Sequence, residues 1–340
     1  MPSQQAESWS RRDVLNGFAL AGAAGLLGFR PGPVAAEPPP ETTTIRLVHG
    51  PSMCHAPQYV AEELLRAEGF AQVTYAKADR IAVIEKALAS GDADLNLHFA
   101  APLILRLEAA DPIVILAGGH VGCFELFGTE RVRAIHDLKG KTVALLDLTS
   151  SQYAFLASML TYVGLDPGKD VNWVLLPPVE AKRLLADGKI DAYLGFPPDP
   201  QELRAKRIGH VVLNSALDRP WAQYFCCMVT GNGEFVRRHP VATKRALRAI
   251  LKAADLCALQ PERAAQLLVD RGYVSEAEYA RQLMRDLPWG KWREFNPEDT
   301  IRFYALRLHE AGMIKSTPQK IIAQGTDWRF LNELKKELKG

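Results

Sequence analysis

The sequence predicts an α/β protein, and a repeated pattern of alternating strands and helices is the observation that predicts it. In residues 138–200, short apolar runs alternate with stretches of helical periodicity that end at Gly164 and Gly188. The predicted strands of this unit are 142–146, 172–176 and 190–194, and its second helix is 179–187. Such alternation is typical of a parallel sheet covered by helices.

The same order of elements occurs earlier in the chain. Predicted strands at 45–49, 73–75 and 94–97 alternate with predicted helices at 58–67 and 81–90. Asp94 follows Gly91 at the same spacing as Asp191 follows Gly188. We interpret the two units as two similar lobes, because two copies are too few for a solenoid.

Two further strand-like runs flank the second unit, at 121–127 and 221–229. They predict a two-strand hinge through which the chain leaves the first lobe and later returns to it. The first lobe is then 37–122 together with the mainly helical 223–340, and the second lobe is 123–222.

The N-terminus is predicted to be an export signal, residues 1–36. Ser10, Arg11 and Arg12 open a twin-arginine motif that precedes a short apolar run and a small-residue cleavage site after Ala36. We therefore expect a periplasmic protein. The formal net charge of +2 and the absence of a run of one charge argue against nucleic acid as a partner.

The five cysteines do not have the spacing of a zinc site, and neither a metal nor a cofactor is expected. Their number is odd, so at least one stays unpaired. Cys123 would lie near Cys226 or Cys227 on the hinge strands. A disulfide there and a set of plain buried thiols are both open.

Ligands of open parallel sheets bind at the carboxyl ends of the strands. Four loops of this kind would face one cleft between the lobes: 51–59, 96–100, 148–152 and 195–199. A glycine pair, 118–119, would also bring His120 to it. The candidate ligand-binding residues are Cys54, His55, Gln58, Tyr59, Asn96, His98, His120, Thr149, Ser150, Ser151, Phe196 and Asp199.

A purely structural role stays open for several of these residues. Thr149 and Ser150 suit a helix N-cap as well as an oxyanion contact, and His98 could be a buried core histidine. Cys54 and His55 are neighbours in sequence, which favours loop contacts over a nucleophile and its base.

The ordered set of segments resembles the periplasmic substrate-binding proteins of ABC importers, of the nitrate/sulfonate/taurine type that includes the thiamine-pyrimidine-precursor family. The resemblance covers roughly 45–268 and implies the two-lobed type II fold. The loop 148–151 corresponds to the family's Gly-Ser-rich helix start but lacks the glycine, and Phe196 corresponds to its aromatic residue. The segments that carry it are 89–95, 138–144, 160–165, 186–192 and 235–240.

The resemblance implies a monomer that closes on a small ligand and docks on a membrane ABC permease. The four loops contain no Arg or Lys, so an organic ligand (a sulfonate, a pyrimidine precursor or a small carboxylate) is expected rather than a bare anion. The nearest basic candidates are Arg80 and Arg219.

The alternative is an enzyme on the same fold, a pyrimidine-phosphate synthase or a small-acid dehydratase. It would use Cys54, His55 and His98 as catalytic residues. The export signal favours the binding protein.

Overall fold

The computed structural model describes residues 37–79 and 81–338 of the chain. The compact unit that holds the strands begins at Pro39. The expected signal peptide, residues 1–36, lies outside the described residues, and so does Arg80. Among the helices described, none has the length and apolar character that crossing a membrane requires.

Within the two repeated units, strands and helices follow the predicted order, with boundaries that differ by a few residues. The predicted run 121–127 is instead divided between the end of one strand and the next, and the strand at residues 210–214 was not predicted. The strands are β1 (Thr44–His49), β2 (Gln72–Lys77), β3 (Leu95–Phe99), β4 (Ile113–Val121), β5 (Glu125–Gly128), β6 (Thr142–Leu145), β7 (Asn172–Leu175), β8 (Ala192–Gly195), β9 (His210–Asn214) and β10 (Phe225–Asn232).

The helices include several short ones that the sequence did not predict, such as the helix that starts directly after β3. They are α1 (Ala56–Val60), α2 (Glu62–Ala67), α3 (Ile81–Ser90), α4 (Ala100–Glu108), α5 (Ser151–Tyr162), α6 (Pro178–Ala186), α7 (Asp199–Lys206), α8 (Gly233–Arg238), α9 (Pro240–Leu259), α10 (Pro261–Asp270), α11 (Ala277–Asp286), α12 (Pro297–Glu310), α13 (Pro318–Gly325) and α14 (Arg329–Glu337).

The strands form two groups that correspond to the two repeated units. In the first group β1 pairs with β2 in parallel, and β10 lies between β3 and β4. The second group is one sheet in the order β7-β6-β8-β5-β9. The expected α/β class with two lobes is confirmed, although both groups are mixed rather than purely parallel. The hinge strands cause this, because β5 and β10 each run antiparallel to both of their neighbours.

Equivalent aspartates make the same contacts inside each of the two units. Asp94 Oδ2 accepts a hydrogen bond from the backbone N–H of Arg46 at 2.7 Å, and Asp191 Oδ2 accepts one from that of Thr142 at 2.8 Å. Each carboxylate also pairs with a guanidinium, that of Arg46 or that of Arg131. The two units therefore share a local interaction as well as an order of elements.

The chain passes between the two groups of strands twice, through residues 122–124 and residues 215–224. Ser215 connects these two crossings. Its Oγ accepts hydrogen bonds from the backbone N–H groups of Cys123 at 3.2 Å and Phe124 at 3.0 Å. The paired crossings are the arrangement that a two-strand hinge requires.

Candidate functional site

The two lobes meet across an interface lined by loops at the carboxyl ends of the strands. The backbone N–H of Met53 in the first lobe donates a hydrogen bond to Pro197 O in the second, at 3.2 Å. The ring of Phe99 lies 5.3 Å from that of Phe196 and 5.0 Å from that of Phe124. These contacts join three of the four loops that were expected to line one cleft, 51–59, 96–100 and 195–199.

Two cavities lie at the edges of this interface. One, of about 430 Å³, is lined by Met53 and Tyr273 on one side and by Pro198 and Glu202 on the other. The second, of about 660 Å³, is lined by first-lobe residues that include Arg106, together with Leu148 and Thr149 of the second lobe.

Three predicted ligand contacts use their polar atoms to hold the first-lobe loops. Gln58 Nε2 donates to Val48 O at 2.7 Å, and Asn96 Oδ1 accepts from the N–H of Val48 at 2.9 Å. The hydroxyl of Tyr59 accepts from the N–H of Gly50 at 3.1 Å. We therefore assign Gln58, Tyr59 and Asn96 a positioning role, because their polar groups are satisfied within the protein.

The predicted second-lobe contacts surround the start of α5. Ser150 is its N-cap, since its Oγ accepts from the N–H of Tyr153 at 3.2 Å. The hydroxyl of Thr149 donates to Asp147 Oδ1 at 2.5 Å and stays exposed, whereas Ser151 is buried. The capping role that was left open for both residues is therefore the one observed for Ser150. Of Thr149, Ser150 and Ser151, Thr149 is the residue that lines a described cavity.

Phe196 and Asp199 follow β8 but have different surroundings. The half-buried ring of Phe196 faces Phe99 of the other lobe. Asp199 is buried, and its carboxylate accepts from Lys182 Nζ at 2.6 Å and from the hydroxyl of Tyr193 at 2.5 Å. Phe196 therefore lies at the interface with part of its surface exposed, whereas the carboxylate of Asp199 is neutralised within its own lobe.

Two glycines of β4 pack closely on its neighbours, and His120, a predicted ligand contact, follows them in the interior. A Cβ atom on Gly118 would lie 2.3 Å from the ring of Phe225, and one on Gly119 would lie 2.4 Å from Leu97 Cδ2. Only glycines allow this packing of β4 on its neighbours. His120 therefore reaches β10 as a fully buried side chain, 4.8 Å from the ring of Trp289.

Histidines and cysteines converge at this point. The side-chain ligand atoms of Cys54, His120 and Cys227 all lie within 4.8 Å of one another, and all three residues are buried. The sulfur atoms of Cys123, Cys226 and Cys227 form a second such set. We call these five side chains the thiol cluster.

The cysteines are free thiols in the described part of the chain. The disulfide considered for Cys123 is therefore absent there, although its sulfur does lie beside those of Cys226 and Cys227. Cys257, on α9, is also buried but belongs to neither set. The buried-thiol interpretation is the one observed.

Several buried nitrogen atoms around the cluster have no hydrogen-bond partner among the described residues. They are both ring nitrogens of His55, Nε2 of His120 and Nδ1 of His98. The other nitrogen of His98 lies 3.1 Å from Glu85 Oε1, as expected of a core histidine. Unpaired buried polar atoms are costly and rare, so their concentration here requires a physical explanation.

The thiol cluster has an unusual electrostatic environment. Burial alone would raise the pKa of the Cys227 thiol, but hydrogen bonds from Cys123, Cys226 and Cys54 and the charge of His120 bring it well below the ordinary range. Burial raises the pKa of Cys123, Cys226 and Cys54 in turn. The pKa shift of Cys227 is therefore opposite in direction to those of the other three thiols.

Of the two basic side chains predicted near the interface, the described one, Arg219, lines a cavity with Tyr224 on the hinge side. Arg106, which the sequence analysis missed, lines the cavity beside Thr149 and donates from Nε to Asp111 at 2.6 Å. It lies on a helix, α4, that periodicity did not reveal.

Comparison with known proteins gives one family and a consistent set of relatives. The model of the NMT1-like family matches residues 38–269. The taurine-binding periplasmic protein of Escherichia coli (strain K12) is 26% identical over 216 residues, which is 61% of this chain and 66% of that protein. The alignment thus spans just under two thirds of that relative.

Solved structures of periplasmic binding proteins share the fold. The periplasmic nitrate-binding protein NrtA from Synechocystis PCC 6803 has a TM-score of 0.70 at 18% identity, over 89% of this chain and 90% of that one. The alkanesulfonate-binding protein SsuA from Xanthomonas axonopodis pv. citri, bound to MOPS, has a TM-score of 0.65 at 16% identity, over 83% and 96%. The expected resemblance to nitrate/sulfonate/taurine-type binding proteins, with their two-lobed type II fold, is confirmed. The chain belongs to the NMT1-like family.

Proposed function

We propose that this protein is the extracytoplasmic solute-binding component of an ABC importer. It captures a small organic molecule between its lobes by hinge closure and delivers it to a membrane permease. The family, and the relatives named as binding proteins for taurine, nitrate and alkanesulfonate, support this proposal.

The observation that carries the proposal is that the two lobes contact each other through loops at the ends of their strands. The loop with Met53 contacts Pro197, the ring of Phe99 contacts that of Phe196, and the chain crosses twice between the lobes. A pair of lobes joined by two crossings opens and closes around a site between them. This arrangement supports the lobe boundaries 37–122, 123–222 and 223–340.

The wall of the interface favours a solute with an apolar part. Phe99, Phe124 and Phe196 form an aromatic contact there, and the basic side chain of Arg106 already pairs with Asp111. We infer a sulfonate, pyrimidine precursor or small carboxylate whose carbon skeleton packs on the rings. Twin-arginine export to the periplasm and a monomeric state without nucleic acid complete the proposal.

The enzyme alternative would require a reactive group open to a substrate. Cys54, His55 and His98 are fully buried, and His55 has no hydrogen-bonded partner among the described residues that could act with it in proton transfer. We therefore propose binding without turnover.

A thermal-unfolding panel tests this function. The purified protein is heated with taurine, short alkanesulfonates, nitrate, pyrimidines and small carboxylates over a range of concentrations. A solute that binds the native state raises the apparent stability by RT ln(1 + [L]/Kd), about 2.7 kcal/mol at a concentration of 100 Kd.

We expect one chemical class to raise the melting temperature in this dose-dependent way and to be recovered unchanged. A flat panel would contradict the proposed solute classes. Consumption of a solute that binds would favour the enzyme.

A further inference from the structure

We propose that the thiol cluster is a binding site for a thiophilic metal ion, Cu(I), buried beside the first-lobe loop that contacts the second lobe. The ion would be held by one of two overlapping sets of three ligands, either Cys54, His120 and Cys227 or Cys123, Cys226 and Cys227. The inference does not depend on the import function, because it concerns ligand atoms that lie within one lobe and its hinge.

The distance between sulfur atoms fits a shared metal ion. Cys54 Sγ and Cys227 Sγ lie 3.7 Å apart. Two thiolates among three ligands of one metal, each about 2.3 Å from it and about 120° apart, would be separated by about 4.0 Å. The side chains would therefore need little movement to bind.

The number and softness of the ligands favour Cu(I). Thiolates select soft ions such as Cu(I) and zinc, but structural zinc almost always takes four protein ligands. Each set here offers three, either two sulfurs and an imidazole nitrogen or three sulfurs. Three soft ligands in a dry interior suit a monovalent copper ion.

Unsatisfied and strained groups at the same place are independent support. Nε2 of His120 is buried and makes no hydrogen bond to a described residue, so the neutral imidazole would offer a nitrogen lone pair to a metal. Cys123 has φ 141°, a backbone conformation that residues with a side chain rarely adopt. Such strain is found mainly where function requires it, and here it lies at a proposed ligand.

The structure also explains why these residues meet. Cys54 is in the loop before α1, His120 is near the end of β4, and Cys123 is in the first hinge crossing. Cys226 and Cys227 are on β10. Binding would displace a proton from each ligand atom that carries one, whether thiol or imidazolium, and release it to solvent.

A competition titration tests the site. The reduced protein, held without oxygen, is mixed with Cu(I) bound to bicinchoninate, and the loss of the coloured complex reports the copper withdrawn. The variants are Cys227→Ser, which alters both sets, His120→Gln, which alters one, and Cys257→Ser as a matched control outside the cluster.

We expect the wild-type protein and Cys257→Ser to withdraw copper equally. His120→Gln should weaken binding by about 10-fold or more and Cys227→Ser by on the order of 100-fold or more, since even outer-sphere changes cost 10- to 100-fold. His120→Gln keeps every thiol, so it decides the question if Cys227→Ser does not fold.

Three results would overturn the proposal. The wild-type protein could fail to withdraw Cu(I), Cys257→Ser could lose as much affinity as Cys227→Ser, or both cluster variants could match the wild type. A site that binds zinc but leaves copper with the competitor would refute the assignment to Cu(I).

Discussion

Cys54 Sγ and Cys227 Sγ lie 3.7 Å apart, although the two residues are separated by 173 positions in the sequence. Cys54 belongs to the first-lobe loop that contacts the second lobe, and Cys227 to the strand on which the chain returns. The contact therefore ties the ligand-facing loop to the hinge strand. We therefore expect substitutions in the thiol cluster to affect the position of this loop.

Loss of the Phe196 ring should weaken solute binding. Phe196 is the half-buried second-lobe residue whose ring lies 5.3 Å from that of Phe99. We expect Phe196→Ala to lower the affinity for the solute found in the thermal panel by about tenfold or more, because aromatic anchors dominate such contacts. Titration calorimetry measures the change.

The control for this variant is Val179→Ala, since Val179 is 77% exposed at the start of α6. Equal affinities for Phe196→Ala and wild type would exclude Phe196 from the binding site.

An ion pair between the lobes should favour the closed state. Arg204 on α7 pairs with Asp286 at the end of α11, and Gln201 Nε2 also lies 3.4 Å from Asp286 Oδ2. Both partners are partly exposed, so the pair contributes about 0.5–1 kcal/mol. We expect Asp286→Asn to lower solute affinity about two- to fivefold, and added salt to reduce the difference.

Glu180→Gln is the matched control, because Glu180 pairs with Arg183 on the same helix. Calorimetry at two ionic strengths compares the two variants. If both had the same effect on affinity, the pair between the lobes would have no special role.

The glycine after α6, Gly188, should contribute to the free energy of unfolding through its backbone conformation. Gly188 has φ +67°, and a Cβ atom there would meet nothing within 4 Å. Gly188→Ala should therefore lower the free energy of unfolding by about 1–2 kcal/mol, the cost of a left-handed conformation. Urea denaturation measures it.

Gly290→Ala is the comparison, since its Cβ would lie 3.8 Å from Ala258 Cβ and its φ is ordinary. We expect a change within about 0.5 kcal/mol there. A Gly188→Ala protein as stable as the wild type would show that this backbone conformation is not needed.

The alternation of strands and helices could be predicted because each lobe obeys local rules. The apolar runs mark β1 and β6, and glycines end the helices of both units. The antiparallel direction of β5 and β10 could not be predicted, because it depends on how the chain returns between lobes and not on a local pattern.

The candidate site could be predicted only in outline. The loops were found from the ends of strands, but the polar atoms of Gln58 and Asn96 turned out to be used by the backbone. The thiol cluster was missed as a possible metal site because its ligands come from distant segments without a recognisable spacing. Gly118 and Gly119 were the one local signal of close packing beside it.

Acid should destabilise the protein partly through His49. Its ring lies 4.9 Å from that of Tyr273, and burial, followed by the charges of Lys77 and His55, lowers its pKa below 6.5. The unfolded chain then binds a proton more readily than the folded one, so stability is present above 6.5 and is lost as the pH falls through and below that value.

We expect His49→Gln to lose less stability than the wild type between about pH 8 and pH 5. Urea denaturation across this range gives the comparison, and taking the difference between the two proteins cancels the other histidines. Parallel stability curves would show that His49 does not contribute to the acid sensitivity.

The radius of gyration in solution, measured by X-ray scattering with and without saturating solute from the thermal panel, tests hinge closure most directly. Two lobes joined by paired crossings should open when free and close when bound, so we predict a smaller radius in the complex. A radius that is unchanged on saturation would contradict capture of the solute by closure of the lobes.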